Sequence, residues 1–181
     1  MSSNPAARTP KTPLVADFFQ MAYVTNDLER AVERFQKVYG VEKFMLRQGT
    51  KIPRKTPQGI EAAELRVALA YVGHLELELI EAKHDNPARS LKIYSEVMPP
   101  DEFAVVHHHV AYHVHGDADD WRRFRASIDE TEHPVPLEGD LDSIKWCYLD
   151  DRKLVGHYNE FIWHVNGDLH ASIPQNYPVI G

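Results

Sequence analysis

The sequence predicts an α+β fold built from two consecutive βαβββ modules. Each half opens on a strand with two alternating faces, passes into an amphipathic helical stretch, and closes on further alternating strands. Polar residues with ligand chemistry fall at matching places in the two halves. With 181 residues and 43% hydrophobic content, the chain can bury a core in one domain or in two fused small modules.

In the first half, FFQMAYVT from Phe18 sets Phe18, Gln20, Ala22 and Val24 on one face and Phe19, Met21 and Tyr23 on the other, which is a strand. Asn26 or Asp27 can cap the helix that follows. Leu28, Ala31, Val32, Phe35, Val38 and Tyr39 recur there at helical spacing, and Gly40 stops it. VEKFMLRQ reads as a strand and the Lys/Pro/Gly-rich stretch Lys51 to Gly59 as a connection. IEAAELRVALAYV and HLELELIEA read as strands turning at Gly73. This module covers residues 17–82, after a leader at 1–16.

A linker over 83–106 carries room for a short helix at Ser90 to Val97, before the stop Pro99-Pro100. The second module, 107–165, opens on the strand HHHVAYHV. Asp117 to Asp120 cap a helix through Trp121, Phe124 and Ile128, Pro134 and Pro136 break the chain, and SIKWCYLD and LVGHYNEFIW close the half. Residues 166–181 form a tail whose two prolines suit it to wrapping over a neighbouring surface. The repeat lies in the order of elements rather than in residue identity.

Composition narrows the chemistry. The net charge of −7 and the lack of a basic, aromatic-laced stretch argue against nucleic acid as a partner. No apolar run approaches a bilayer span and the leader lacks a secretory apolar segment, so the expectation is a cytoplasmic protein without membrane contact. Cys147 is the only cysteine, which excludes an intrachain disulfide and a thiolate metal cluster. Any metal must use His, Asp, Glu, Gln or water.

Gln20 opens the first strand of one half and His109 that of the other, and Glu78 and Glu160 sit in the closing strands. The two pairs are separated by nearly the same length of chain. A pseudo-twofold arrangement brings four such positions together.

FQMAYVTNDLERAVERF and LELELIEA, then HHVAYHV and GHYNEFIW, resemble the paired modules of the vicinal-oxygen-chelate superfamily, which includes glyoxalase I, methylmalonyl-CoA epimerase, extradiol dioxygenases and fosfomycin-resistance enzymes. The resemblance runs from Asp17 to Trp163. It implies a paired mixed-sheet half-barrel in which the opening and closing strands of each module each give one metal ligand, here Gln20, Glu78, His109 and Glu160. This set is similar to that of zinc-dependent glyoxalase I. The glutathione-gripping positions of that enzyme hold Val24 and Ala82 here, so the resemblance does not extend to glutathione. Methylmalonyl-CoA epimerase has His at the place of Gln20 and Gln at that of Glu78. Extradiol dioxygenases hold iron with two His and one carboxylate.

Three oxygens and one imidazole suit a divalent cation such as Zn, Mn, Co, Ni or Fe. Paired with a small bidentate substrate, such a cation stabilises an enolate, while Glu160 or Glu78 moves the proton next to the carbonyl. The expected activity is a metal-dependent lyase or isomerase. The alternatives are a non-catalytic module of the same fold holding an aromatic small molecule, and an Fe(II) ring-cleavage dioxygenase. Each module has an open sheet to cover, so the cavity forms within one chain or between two chains of a homodimer.

His107, His109, Ala111, His113 and His115 alternate onto one face, which makes His113 a further candidate catalytic group or substrate contact; a hydrogen-bonded core histidine is the ordinary alternative. His108 is expected to face the other way. Glu76 shares the Glu78 face and either lines the site or, as strand glutamates more often do, meets solvent. Tyr158 shares the Glu160 face, and Phe161 and Trp163 are expected on the opposite side, against a helix.

Overall fold

The computed structural model describes residues 17–47, 51–83, 91–99, 102–141, 143–165 and 179–180. The leader at 1–16, part of the linker and nearly all of the tail lie outside the described residues.

Strand β1 (Phe18–Thr25) leads into helix α1 (Leu28–Tyr39). Asp27 caps the helix by accepting from the Arg30 backbone N–H, and Gly40 ends it in the left-handed conformation that glycine adopts without penalty. Leu28, Ala31, Val32 and Phe35 are buried. The predicted stripe stops there, because Val38 and Tyr39 are 61% and 69% exposed.

Strand β2 (Phe44–Arg47) follows, and then the structure departs from expectation. The Lys51 to Gly59 connection is largely strand β3 (Lys51–Thr56), paired with β4 (Gly59–Glu64) in a hairpin. IEAAELRVALAYV accordingly breaks at Leu65 into β4 and β5 (Arg66–Val72). Strand β6 (Leu75–Glu81) closes the half.

The linker carries the one-turn helix α2 (Lys92–Ser95). Strand β7 (Val105–His113) leads to α3 (Ala118–Ala126), where Asp117 and Asp120 form a reciprocal capping box. Strands β8 (Leu137–Leu141) and β9 (Ile144–Leu149), the short helix α4 (Arg152–Val155) and strand β10 (Tyr158–His164) complete the second half. Two residues near the C-terminus, β11 (Val179–Ile180), pair with β2.

The strands of the described residues join one sheet in the order β11-β2-β5-β6-β1-β7-β10-β9-β8-β3-β4. The halves meet at β1 and β7, which run antiparallel, while β1–β6 and β7–β10 are parallel pairs. The curled mixed sheet is the expected half-barrel. One face of the first half is covered by α1, with Leu28, Val32 and Phe35 against Ala68, Leu77 and Leu79. The matching face of the second half is covered by α3, where Trp121 and Phe124 pack on Phe161, Trp163 and Cys147 as predicted for the two β10 aromatics. The other face holds a third core of Val24, Ile80, Ala111, Trp146, Tyr148, Tyr158 and Ile162, with Leu91, Ile93, Tyr94 and Met98 of the linker packed into it. Among the described residues no helix is long and apolar enough to cross a membrane.

Candidate metal centre

Backbone register places the four candidate ligands. Along β1 and β6 Gln20 faces Glu76 and Ala22 faces Glu78, and along β7 and β10 His109 faces Tyr158 and Ala111 faces Glu160. Across the central pair, Gln20 faces Ala111 and Ala22 faces His109. This is the register of a local twofold axis that exchanges Gln20 with His109, Ala22 with Ala111 and Glu78 with Glu160. The two alanines flank the axis, and their short side chains leave room for the longer ones.

The side chains accordingly meet. His109 Nε2 lies 3.1 Å from Glu160 Oε2, 3.3 Å from Gln20 Oε1 and 3.5 Å from Glu78 Oε2. His109 has no exposure, and Gln20 and Glu160 are 5% and 6% exposed. All four residues belong to one chain. Burial opposes charge on His109, but the Glu160 and Glu78 carboxylates outweigh it and its pKa is pushed up to about 9.

Donors held about 2.0–2.2 Å from a shared cation, at tetrahedral or octahedral angles, stand about 2.8–3.6 Å from one another. The three oxygens keep that spacing from Nε2. As placed, no three of His, Cys, Asp or Glu among the described residues form a ready-made metal cluster. The donor set fits a borderline divalent cation, with Gln20, Glu78, His109 and Glu160 as the residues able to hold it.

Sequence expectations need correction at His108, His107 and Glu76, and at Phe18 and Phe19, where a second register shift sets Phe19 against the core on Gln20's side and Phe18 against Tyr112 on the other. His108 faces the same side as His109, because the register against β1 shifts between Ala22 and Tyr23 and leaves His108 as the extra residue of a β-bulge. Its ring lies 4.8 Å from that of Tyr158 and 5.1 Å from that of Tyr94, and it is 1% exposed. The same shift turns His107 to the opposite side, where it meets Tyr23 and His157.

Glu76 does not meet solvent. It is 8% exposed, accepts from Gln20 Nε2 at 2.5 Å, and accepts from the Tyr71 hydroxyl. Burial raises its pKa. Because the Gln20 amide donates to Glu76 through nitrogen, its carbonyl oxygen is the atom turned to His109.

His113 keeps the predicted face but is not brought to the four. Two pleats along the strand, about 13 Å from His109, its ring stacks on His164 at 5.7 Å and meets the edge of Phe19 at 4.5 Å. Tyr158 faces inward as expected, where its hydroxyl donates to Glu96.

The residues that sequence reasoning missed are His108, Tyr71, Tyr94 and Tyr148, while Glu76 takes the less frequent of its two expected readings. Tyr148 pairs with Glu160 across β9 and β10 and sets its ring 5.0 Å from His109, and its hydroxyl lies 3.4 Å from that of Tyr94. Alternation places Tyr148 inward, but only the tertiary fold brings Tyr94 of the linker beside it.

The family model for the Glyoxalase/Bleomycin resistance protein/Dioxygenase superfamily matches residues 19–133, more than half of the chain. A search of curated protein sequences returns no match. Among solved structures, methylmalonyl-CoA epimerase from Mycobacterium tuberculosis superposes with a TM-score of 0.54 at 13% identity, over 87% of this chain and 93% of that one. A methylmalonyl-CoA epimerase in complex with methylmalonyl-CoA and NH4+ gives 0.52 at 17% identity, over 84% and 96%. A Streptomyces coelicolor methylmalonyl-CoA epimerase in complex with 2-nitronate-propionyl-CoA gives 0.51 at 17%, over 82% and 96%. At these identities the likeness is one of fold.

Proposed function

Because the chain belongs to the Glyoxalase/Bleomycin resistance protein/Dioxygenase superfamily, we propose that it is a divalent-metal-dependent isomerase or lyase that moves a proton next to a carbonyl in a small bidentate substrate. The observation that carries this reading is the convergence of Gln20, Glu78 and Glu160 oxygens on His109 Nε2 from strands of both halves. A cation bound there supplies Lewis-acid polarisation of the substrate oxygen. The chain's own groups do the rest. Glu78 is the better placed base: its side chain is 16% exposed against 8% for Glu160, and its contact with His109 is the longer. Glu160, closer to His109 and covered by Tyr148, is the firmer anchor. The neighbouring Tyr94 and Tyr148 hydroxyls offer donors to a substrate oxygen, and the apolar core around them keeps water from the carbanionic carbon.

Val24 and Ala82, both buried, provide no charge for a glutathione carboxylate. This argues against a glutathione adduct, and small α-hydroxy or α-keto carbonyl compounds are the class proposed for test. A single imidazole among four donors disfavours an Fe(II) dioxygenase. The alternative reading, a non-catalytic binding module for aromatic compounds, draws on Tyr94, Trp146, Tyr148 and Tyr158 lining the same face.

The test has two arms. Protein purified without added metal is assayed for Zn, Mn, Co, Ni and Fe, with near-stoichiometric content expected. The metal-loaded protein is then incubated anaerobically in deuterated water with a panel of such carbonyl compounds, and deuterium is expected at the α-carbon. Metal binding without exchange across the panel favours the binding module, and no metal uptake overturns the metal-dependent reading.

A further inference from the structure

We propose that His108 is a positioning residue: by accepting from His109 Nδ1 it makes Nε2 the nitrogen that faces Gln20, Glu78 and Glu160 and the one that gives up its proton when a cation binds. The inference rests on the metal-site reading of those four residues and adds a fifth residue, which holds the site without entering it.

The argument is one of donors and acceptors. His108 Nε2 lies 2.9 Å from the carbonyl oxygen of Ile93. A carbonyl only accepts, so the hydrogen of His108 sits on Nε2. A neutral ring has one hydrogen, which leaves Nδ1 as an acceptor. That atom lies 2.8 Å from His109 Nδ1. His109 Nδ1 must then be the donor, and in neutral His109 the remaining nitrogen, Nε2, carries the lone pair. The three candidate oxygen ligands surround that atom at 3.1–3.5 Å.

Charge on His108 would reverse the chain of donors, and the surroundings disfavour it. The ring packs among Tyr94, Tyr148 and Tyr158, with no carboxylate among its hydrogen-bond partners in the described residues, whereas two carboxylates face His109. A cation is costly in the first place and compensated in the second. The bulge in β7 is what allows two successive histidines to face one side. Ile93 belongs to α2, so the linker between the halves dictates which nitrogen of His109 faces the ligands. Imidazole ligands commonly donate their second N–H to such a partner, and losing the partner costs about 10–100-fold in metal affinity.

The test combines spectroscopy and substitution. In metal-free protein with ¹⁵N-labelled histidine, long-range ¹H–¹⁵N correlation at neutral pH should show His108 neutral, with Nε2 protonated and Nδ1 bare. In the Zn²⁺-loaded protein His109 should carry its proton on Nδ1. A proton on His108 Nδ1 overturns the proposal, whether or not Zn²⁺ binds. His108→Phe should lower Zn²⁺ affinity by about 10–100-fold and alter the visible spectrum of the Co²⁺-loaded protein. His108→Gln, which keeps an acceptor for His109, should restore much of both; equal affinity in wild type and His108→Phe overturns the proposal. If His108→Phe does not fold, the wild-type correlation spectra decide alone. Wild-type protein that takes up neither Zn²⁺ nor Co²⁺ sinks the metal-site reading, while the metal-free spectrum still decides the tautomer of His108.

Discussion

Glu78 and Glu160 stand at equivalent places about the local twofold axis, yet their carboxylates are held unequally: Glu160 approaches His109 Nε2 to 3.1 Å and Glu78 to 3.5 Å. The difference separates their expected roles. Replacing either by Gln keeps an oxygen donor and removes a base. Glu78→Gln should slow α-deuterium exchange by on the order of 10²-fold or more with little loss of metal. Glu160→Gln should weaken metal binding more than Glu78→Gln does. Exchange and metal titration on the two variants check this, and unchanged exchange in Glu78→Gln would remove it as the base.

His109→Ala should cost more metal affinity than Gln20→Ala. Imidazole is the stronger donor for borderline cations, and His109 is the residue on which the other three converge. Calorimetric titration with Zn²⁺ ranks them, and equal losses would contradict the ordering.

Stability should depend on pH through a pair remote from the site. His133 Nδ1 lies 2.6 Å from Asp151 Oδ1, a carboxylate that also accepts from Asn159. This hydrogen bond, with the charges of Asp151, Glu132 and Asp129, raises the His133 pKa. A raised folded-state pKa means stability that is fully present below the unfolded value, about 6.5, and lost as pH rises through the folded value. The thermal midpoint of the wild type should therefore exceed that of His133→Gln most clearly near pH 6, by a margin that shrinks toward alkaline pH. A margin independent of pH would refute the assignment.

Gly139→Ala should destabilise the protein. A Cβ at this position in β8 would collide with ring atoms of Trp146, the residue paired with it on β9. Trp146 is 7% exposed and packed in the central core, so its ring has little room to retreat. Overpacking of this kind costs about 1–3 kcal/mol. Chemical denaturation measures it, and a change within a few tenths of a kcal/mol would mean that the ring moves freely.

Period-two alternation set Gln20, Glu78, His109 and Glu160 on the inward faces of their strands, because a residue's face is a local property of a strand, while their choice as a set came from the order of elements in the two halves and from the family resemblance. It failed at His107 and His108, since a bulge leaves no mark in the pattern of side chains and reverses every face beyond it. It also failed at β3, where Pro53 and the flanking lysines read as a connection. Pro53 is tolerated there because β3 meets β8 only through Lys55 and Glu138, so few ladder hydrogen bonds depend on its missing N–H. Glu76 shows a different limit. Its burial depends on Tyr71 and Gln20 from two other strands, and a strand glutamate without knowledge of its partners reads as solvated.

The β3–β4 hairpin begins in the first half of the chain and ends against the second, where Lys55 Nζ reaches Glu138 Oε1 at 2.5 Å and Arg125 holds the other oxygen of the same carboxylate at 2.9 Å. Strand β8 thus finds its outer neighbour in residues made long before it. A ribosome releasing the first half exposes a hairpin with nothing to lie on until β8 has emerged. Such sequence-distant pairing raises contact order, which lengthens the search for the native state and links the folding of one half to that of the other.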